Sequence, residues 1–319
     1  MEVALVVAVI VFCLVTGAND GAALASMSAR VAPGSLGVAL LVLTAVVVVT
    51  PLVTVRVAET LAQRLVGFEA GAGQLIMLVA VTVAVGVVGL LAARGQPTSL
   101  TLALVGALGG AGFGAGLAVA WNWLLGVLLA AAVAPIAAAM LAAGGTRLAA
   151  LVPARRPLRS RLLTGHRIGF AVQAVAYASN DAQKMLAVAA IALPGLLGLE
   201  RPSPIGLLGI GLLFLLGSVA GLRRVGRTLS DAVLPVRPPS AVTAELASGT
   251  AVIISSLVAA PVSMTQAISG GLVGSSVRTG YRSVRWGAAL RLVRAWVVTL
   301  PSAFVWAALA TLTVSRVAP

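Results

Sequence analysis

The sequence predicts an all-α polytopic membrane protein of about ten membrane segments, some re-entrant or broken, in an inverted internal repeat. Three observations carry that prediction. The first is composition. Of 319 residues, 60% are hydrophobic and only 9% are charged, against roughly 25% charged in a soluble domain. Mean hydropathy is +1.09, and long apolar runs recur along the chain, as in a multi-span helical protein. The second is the pair Asn-Asp, which stands twice in sequence almost free of charge: Gly17-Ala18-Asn19-Asp20-Gly21 and Ala178-Ser179-Asn180-Asp181-Ala182. The third is that other blocks repeat around these pairs in the same order.

Membrane segments are expected near 3–28, 34–55, 71–93, 98–117, 119–143, 168–193, 204–221, 241–259, 261–277 and 287–313. The first reads as a retained helix, because Met1-Glu2 runs into apolar sequence without the basic leader of a cleavable signal. Segments 98–117 and 261–277 are short, begin at Pro97 and Pro261, and are rich in Gly, Ser and Thr. They are expected to be re-entrant or broken helices, since irregular backbone at membrane depth is tolerated where it lines a cavity. Stretch 144–167 reads as a linker between a first repeat, 1–143, and a second, 168–319. It holds Arg147, Arg155, Arg156, Arg159, Arg161 and Arg167 and no acid. The positive-inside rule places it in the cytoplasm. The rule puts Arg223, Arg224, Arg227 and Arg237 on the same side, with the cluster Arg278, Arg282 and Arg285.

The repeat has further blocks. Val57 and Thr60 match Val225 and Thr228. Pro97-Thr98-Ser99-Leu100-Thr101 matches Pro261-Val262-Ser263-Met264-Thr265, and Gly106 and Gly110 then match Gly270 and Gly274. An odd number of crossings per half inverts the halves. Many secondary transporters are built so, with the binding site at the repeat interface.

The formal net charge of +14 is nearly all Arg, with Lys184 the one lysine. It lies in short loops, which fits membrane orientation and excludes a nucleic-acid partner as the reason for it. One cysteine, Cys13, and one histidine, His166, placed here in the basic loop, cannot assemble a zinc, haem or iron–sulfur site. No cofactor is expected.

An acid at the bilayer centre costs at least ~2.5 kcal/mol and marks a functional site by default. Asp20 and Asp181 are therefore candidate Na⁺ ligands, or either could carry a proton. The plainer alternative is that the Asn-Asp pairs only join helices by hydrogen bonds. Ser99, Thr101, Ser263 and Thr265 follow a proline at a helix opening. Free N–H groups, hydroxyls and the helix dipole would suit an oxyanion there; the same hydroxyls could simply satisfy backbone freed by Pro. Lys184 could pair with Asp181, meet an anion, or snorkel to the interface. Gln183 and Gln266 could line the cavity. Glu245 is either a first-turn helix acid or a further cation ligand. The run Gly106-Ala107-Leu108-Gly109-Gly110-Ala111-Gly112 lacks the Lys-Ser/Thr ending of a phosphate loop, so it reads as close helix packing.

With these residues the chain resembles the inorganic phosphate transporter (PiT) family of sodium- or proton-coupled symporters. Gly17 to Asp20 match the family's Gly-Ala-Asn-Asp block. The second copy keeps Asn180-Asp181-Ala182-Gln183-Lys184. The family's Pro-Val-Ser-Thr-Thr-His reads Pro97-Thr98-Ser99-Leu100-Thr101-Leu102 and Pro261-Val262-Ser263-Met264-Thr265-Gln266 here, and Ala244-Glu245-Leu246-Ala247-Ser248 also resembles the family's second half. The resemblance implies a phosphate site at Asn19, Ser99, Thr101, Asn180, Ser263 and Thr265, with Na⁺ or H⁺ at Asp20 and Asp181. Gln183 and Glu245 complete the cation candidates.

The chain departs from the family pattern at Leu100 and Met264, which replace a threonine in each block, at Leu102 and Gln266, which replace the histidine, and at Ala23, where Asn is common. The expected function is import of inorganic phosphate with Na⁺ or H⁺ by alternating access, in the plasma membrane and without enzymatic chemistry. The missing hydroxyls leave sulfate or another oxyanion as the alternative. Remoter readings are an aspartyl enzyme, with Asp20 and Asp181 sharing a proton, and a non-transporting scaffold. A homo-oligomer is left open.

Overall fold

The computed structural model describes residues 1–66, 72–94, 98–151, 157–225, 237–277 and 280–317. Helix α1 (Glu2–Thr16) passes through a π turn at Gly17–Gly21 into α2 (Ala22–Val31). Next come α3 (Leu36–Val49), the short α4 (Arg56–Glu59), α5 (Ala72–Ala93), α6 (Leu100–Gly114) and α7 (Trp121–Leu151). The second half holds α8 (Leu158–Asn180), α9 (Gln183–Ala192), α10 (Pro204–Val225), α11 (Pro238–Leu257), α12 (Met264–Ser275) and α13 (Trp286–Val317). Among the described residues the only β feature is an isolated bridge, Val66 to Val119.

Among the described residues six helices are long and apolar enough to cross a membrane: Glu2–Val31, Gly73–Ala93, Trp121–Leu151, Pro204–Leu222, Pro238–Leu257 and Trp286–Ser315. A seventh candidate is the pair Leu36–Leu52 and Arg56–Arg64, bent by 69°. Leu125, Leu129, Met140 and Ile205 turn outward, as lipid-facing side chains do. The protein is a multi-pass membrane protein, with fewer full spans than the ten expected segments. The difference lies in the short pieces. Helix α12 has 12 residues, or ~18 Å at 1.5 Å per residue, against ~30 Å of hydrocarbon. Helix α6 has 15 residues. Segment 168–193 is divided between α8 and α9 at Asp181-Ala182.

Much of the expected linker is helical, because α7 runs to Leu151 and α8 starts at Leu158. Charged helix ends read as loop by composition. Arg155 and Arg156 lie outside the described residues, as do Pro97, Arg227, Thr228 and Arg278. His166 belongs to α8 and is buried, so its placement in a basic loop is corrected.

The two halves pack crosswise. Helix α6 of the first half lies against α13, and α12 of the second lies against α7. Glycines make each contact. A Cβ at Gly106, Gly110 or Gly114 would strike the backbone of Leu300, Phe304 or Ala308, and one at Gly270 or Gly274 that of Pro135 or Ala139. Without side chains the helix backbones touch, which is how small residues drive association in lipid. The glycine run is thus a packing surface. Both partner helices carry an internal proline near the contact, Pro135 in α7 and Pro301 in α13. The π turn is held similarly: Gly17 meets Phe214 of α10, while Gly217 and Gly221 of α10 meet Leu14 and Ala18.

Candidate anion and cation site

Each half-helix opens on a serine. Ser99 stands at the N-cap of α6 and accepts a hydrogen bond from Leu102 N at 3.3 Å. Ser263 holds the matching place on α12, with its hydroxyl 2.9 Å from that of Thr265. The openings meet: Thr101 Oγ1 donates to Val262 O at 3.2 Å. All four hydroxyl residues are buried. The structure therefore brings the two serine- and threonine-bearing helix openings from opposite halves to one place.

Both Asn-Asp pairs fall where the helix widens. Ala22 N donates to Gly17 O, and Ala182 N donates to Tyr177 O at 3.0 Å. These are bonds to the fifth residue back, the mark of a π turn, a feature often found at functional sites. Asn19 Nδ2 donates to Asp20 Oδ1 at 2.7 Å. Asn180 is more heavily engaged. Its Nδ2 donates to Ser256 Oγ at 3.0 Å and Ala260 O at 2.9 Å, and its Oδ1 accepts from Val262 N at 2.9 Å. It ties the α8 break to the strand of chain entering α12. Thr60 of the first half holds the same loop through Ala259 O at 2.9 Å. Ala259 has φ +58°, a left-handed conformation uncommon outside glycine.

Asp181 Oδ2 accepts from Met264 N at 3.1 Å, and its Oδ1 receives the Lys184 ammonium. Lys184 Nζ also donates to Thr101 Oγ1. Lys184 is 1% exposed, so it reaches inward to Asp181 and does not snorkel. This bridge was one of three readings open from sequence; nothing local distinguished it.

The remaining polar candidates sit apart from this bridge. Gln183 Oε1 accepts from Val57 N at 2.9 Å and Ala58 N at 3.0 Å, and its Nε2 donates to Thr54 O at 3.0 Å. Its amide is spent on the opening of α4. Glu245 lies two turns into α11, which begins at Pro238, so the first-turn reading is corrected. It is fully buried, with both carboxylate oxygens 3.0 Å from His166 Nδ1. His166 Nε2 lies 3.0 Å from Ser28 Oγ, making a chain across α2, α8 and α11. Sequence reasoning missed it because its members are far apart. Gln266 lines a cavity of about 530 Å³ with Leu102, Pro135, Trp286 and Trp296. Its Oε1 is buried without a partner.

Residues 166–307 match the model of the phosphate transporter family. Curated relatives agree over more of the chain. A Mycobacterium tuberculosis protein described as "Probable low-affinity inorganic phosphate transporter" is 32% identical over 220 residues, covering 66% of this chain and 52% of that one. The chain is thus similar to proteins of the phosphate transporter family. A Bacillus subtilis protein of the same description is 25% identical over 224 residues, with 65% of each chain covered. The chain spans about half the length of the first curated relatives it matches, 52% in the Mycobacterium case. A solved structure, "The sodium-dependent phosphate transporter", superposes with a TM-score of 0.83 over 100% of this chain and 99% of that one, at 16% identity. The fold of the chain is therefore the fold of that structure.

Proposed function

We propose that the chain is a secondary active symporter that imports inorganic phosphate with Na⁺ or H⁺. The observation that carries this reading is the meeting of two helix openings from opposite halves, joined by Thr101 and Val262 beside the Lys184 ammonium. Helix N-termini attract anions through free N–H groups and the dipole. A fixed cation adds to that attraction. Asn19, Ser99, Thr101, Asn180, Ser263 and Thr265 would surround the anion, and Asp20, with its Asn19 partner, offers oxygen to a cation. Alternating access would be a rocking of the halves about this point. The relatives named for phosphate transport support the substrate.

The test is radiolabelled phosphate uptake in proteoliposomes, with Na⁺ and pH gradients imposed separately and sulfate as competitor. A gradient-driven, saturable uptake that sulfate does not compete away is expected. One observation favours another oxyanion: Leu100 and Met264, both buried at the helix openings, bring no hydroxyl. Stronger sulfate than phosphate binding, reversed by Leu100→Thr with Met264→Thr, would establish that alternative.

A further inference from the structure

The two acids are equivalent in the repeat and unequal in their surroundings. Asp181 has both oxygens engaged, one by Met264 N at 3.1 Å and one by the Lys184 ammonium. Asp20 accepts from the Asn19 amide at 2.7 Å, and the residue three places on is Ala23, a methyl group where the second repeat carries Lys184. A Na⁺ ion needs oxygen lone pairs turned towards it. At Asp181 each oxygen already faces an N–H donor, and a second cation beside the ammonium would meet like charge. The residues at Asp181 thus do not fit a Na⁺ ion.

We infer that Lys184 is a tethered cation, standing permanently where a mobile coupling ion would otherwise sit at Asp181, so that only Asp20 of the pair is open to one. The inference rests on the symport reading and sharpens it. The chain would carry its anion with one fewer mobile cation than a site whose two acids were both free. Lys184 is held for that role from both repeats, since its ammonium also binds Thr101 of α6. Its burial, at 1% exposure, prevents bulk water from competing for the acid.

The test counts radiolabelled Na⁺ bound per purified chain in nanodiscs, at fixed ionic strength and with choline as the balancing ion. Wild type is expected to bind no more than one Na⁺ per chain, lost in Asp20→Asn. Lys184→Ala is expected to gain one Na⁺ per chain. That gain should persist in Asp20→Asn with Lys184→Ala and vanish when Asp181→Asn is added. Lys184→Met, which keeps the length and apolar stem and removes both the charge and the donor, covers the case in which the alanine variant does not fold. Two Na⁺ per wild-type chain, or no gain in folded Lys184 variants, would overturn the inference. Phosphate uptake in liposomes is read separately. Its absence would remove the symport reading without altering the Na⁺ count.

Discussion

Thr101 donates its hydroxyl to the Val262 carbonyl at 3.2 Å while receiving the Lys184 ammonium. One side chain of the first repeat thereby joins the opening of α12 to the acid at the α8 break. Thr101→Val keeps the shape and removes both bonds. A buried partner left unsatisfied costs about 1–3 kcal/mol, so anion affinity should fall ~10-fold or more. Thr101→Ser should retain most of it. Phosphate titration by calorimetry of both variants checks this, and equal affinities would separate Thr101 from the site.

Asn180 and Asn19 hold matching places and carry different loads. Asn180 makes two hydrogen bonds to the segment entering α12 and a third to Ser256 of α11, whereas the Asn19 amide donates to its neighbour Asp20. Asn180→Ala should destabilise by about 2–4 kcal/mol, from several buried groups losing partners. Asn19→Ala should destabilise less and act mainly on ion dependence. Thermal unfolding midpoints in one detergent give the order.

The His166–Glu245 contact is expected to be strongly coupled. Removing one partner leaves the other's buried polar group unsatisfied, at roughly 1–3 kcal/mol. His166→Ala and Glu245→Ala should each be destabilising, and the double variant should fall well short of their sum. A double-mutant cycle on unfolding measures this. Additive effects would mean that the two side chains act independently.

The glycine contacts give a paired comparison. Gly110→Ala and Gly274→Ala place a methyl against the backbone of Phe304 and Ala139, and should abolish a monodisperse folded protein on size exclusion. Gly126→Ala meets nothing within 4 Å. It should be neutral or stabilise by about 0.5–1 kcal/mol through helix propensity.

Orientation can be read at Ser160, exposed near the start of α8. In a Cys13→Ala background, Ser160→Cys should resist an impermeant thiol reagent on intact cells and react after permeabilisation. Labelling of intact cells would place the basic face outside.

The legible parts of this protein are those that repeat locally. Asn19-Asp20 and Asn180-Asp181 could be found because each pair is contiguous and uncharged sequence surrounds it. Ser99 and Ser263 could be found because a proline precedes each block. What joins them was not legible. Lys184 meets Thr101, and Ser28, His166 and Glu245 meet one another, across separations that no periodicity reports. Gln183 was ambiguous for a related reason: a polar side chain at membrane depth marks a cavity or a backbone in need of partners, and here its amide partners the backbone of α4. The widened turns at Gly17 and Tyr177 were also hidden, since a π turn leaves no compositional trace.

The crosswise packing of α6 on α13 has a consequence for synthesis. The surface that seats α6 belongs to α13, which is made long after it. Until that helix leaves the ribosome, the Gly106–Gly114 face has no backbone to rest on, and the Ser99 end of α6 is unsupported. The seating of α6 must therefore wait for α13, and a chain lacking α13 would lack a seat in its first half.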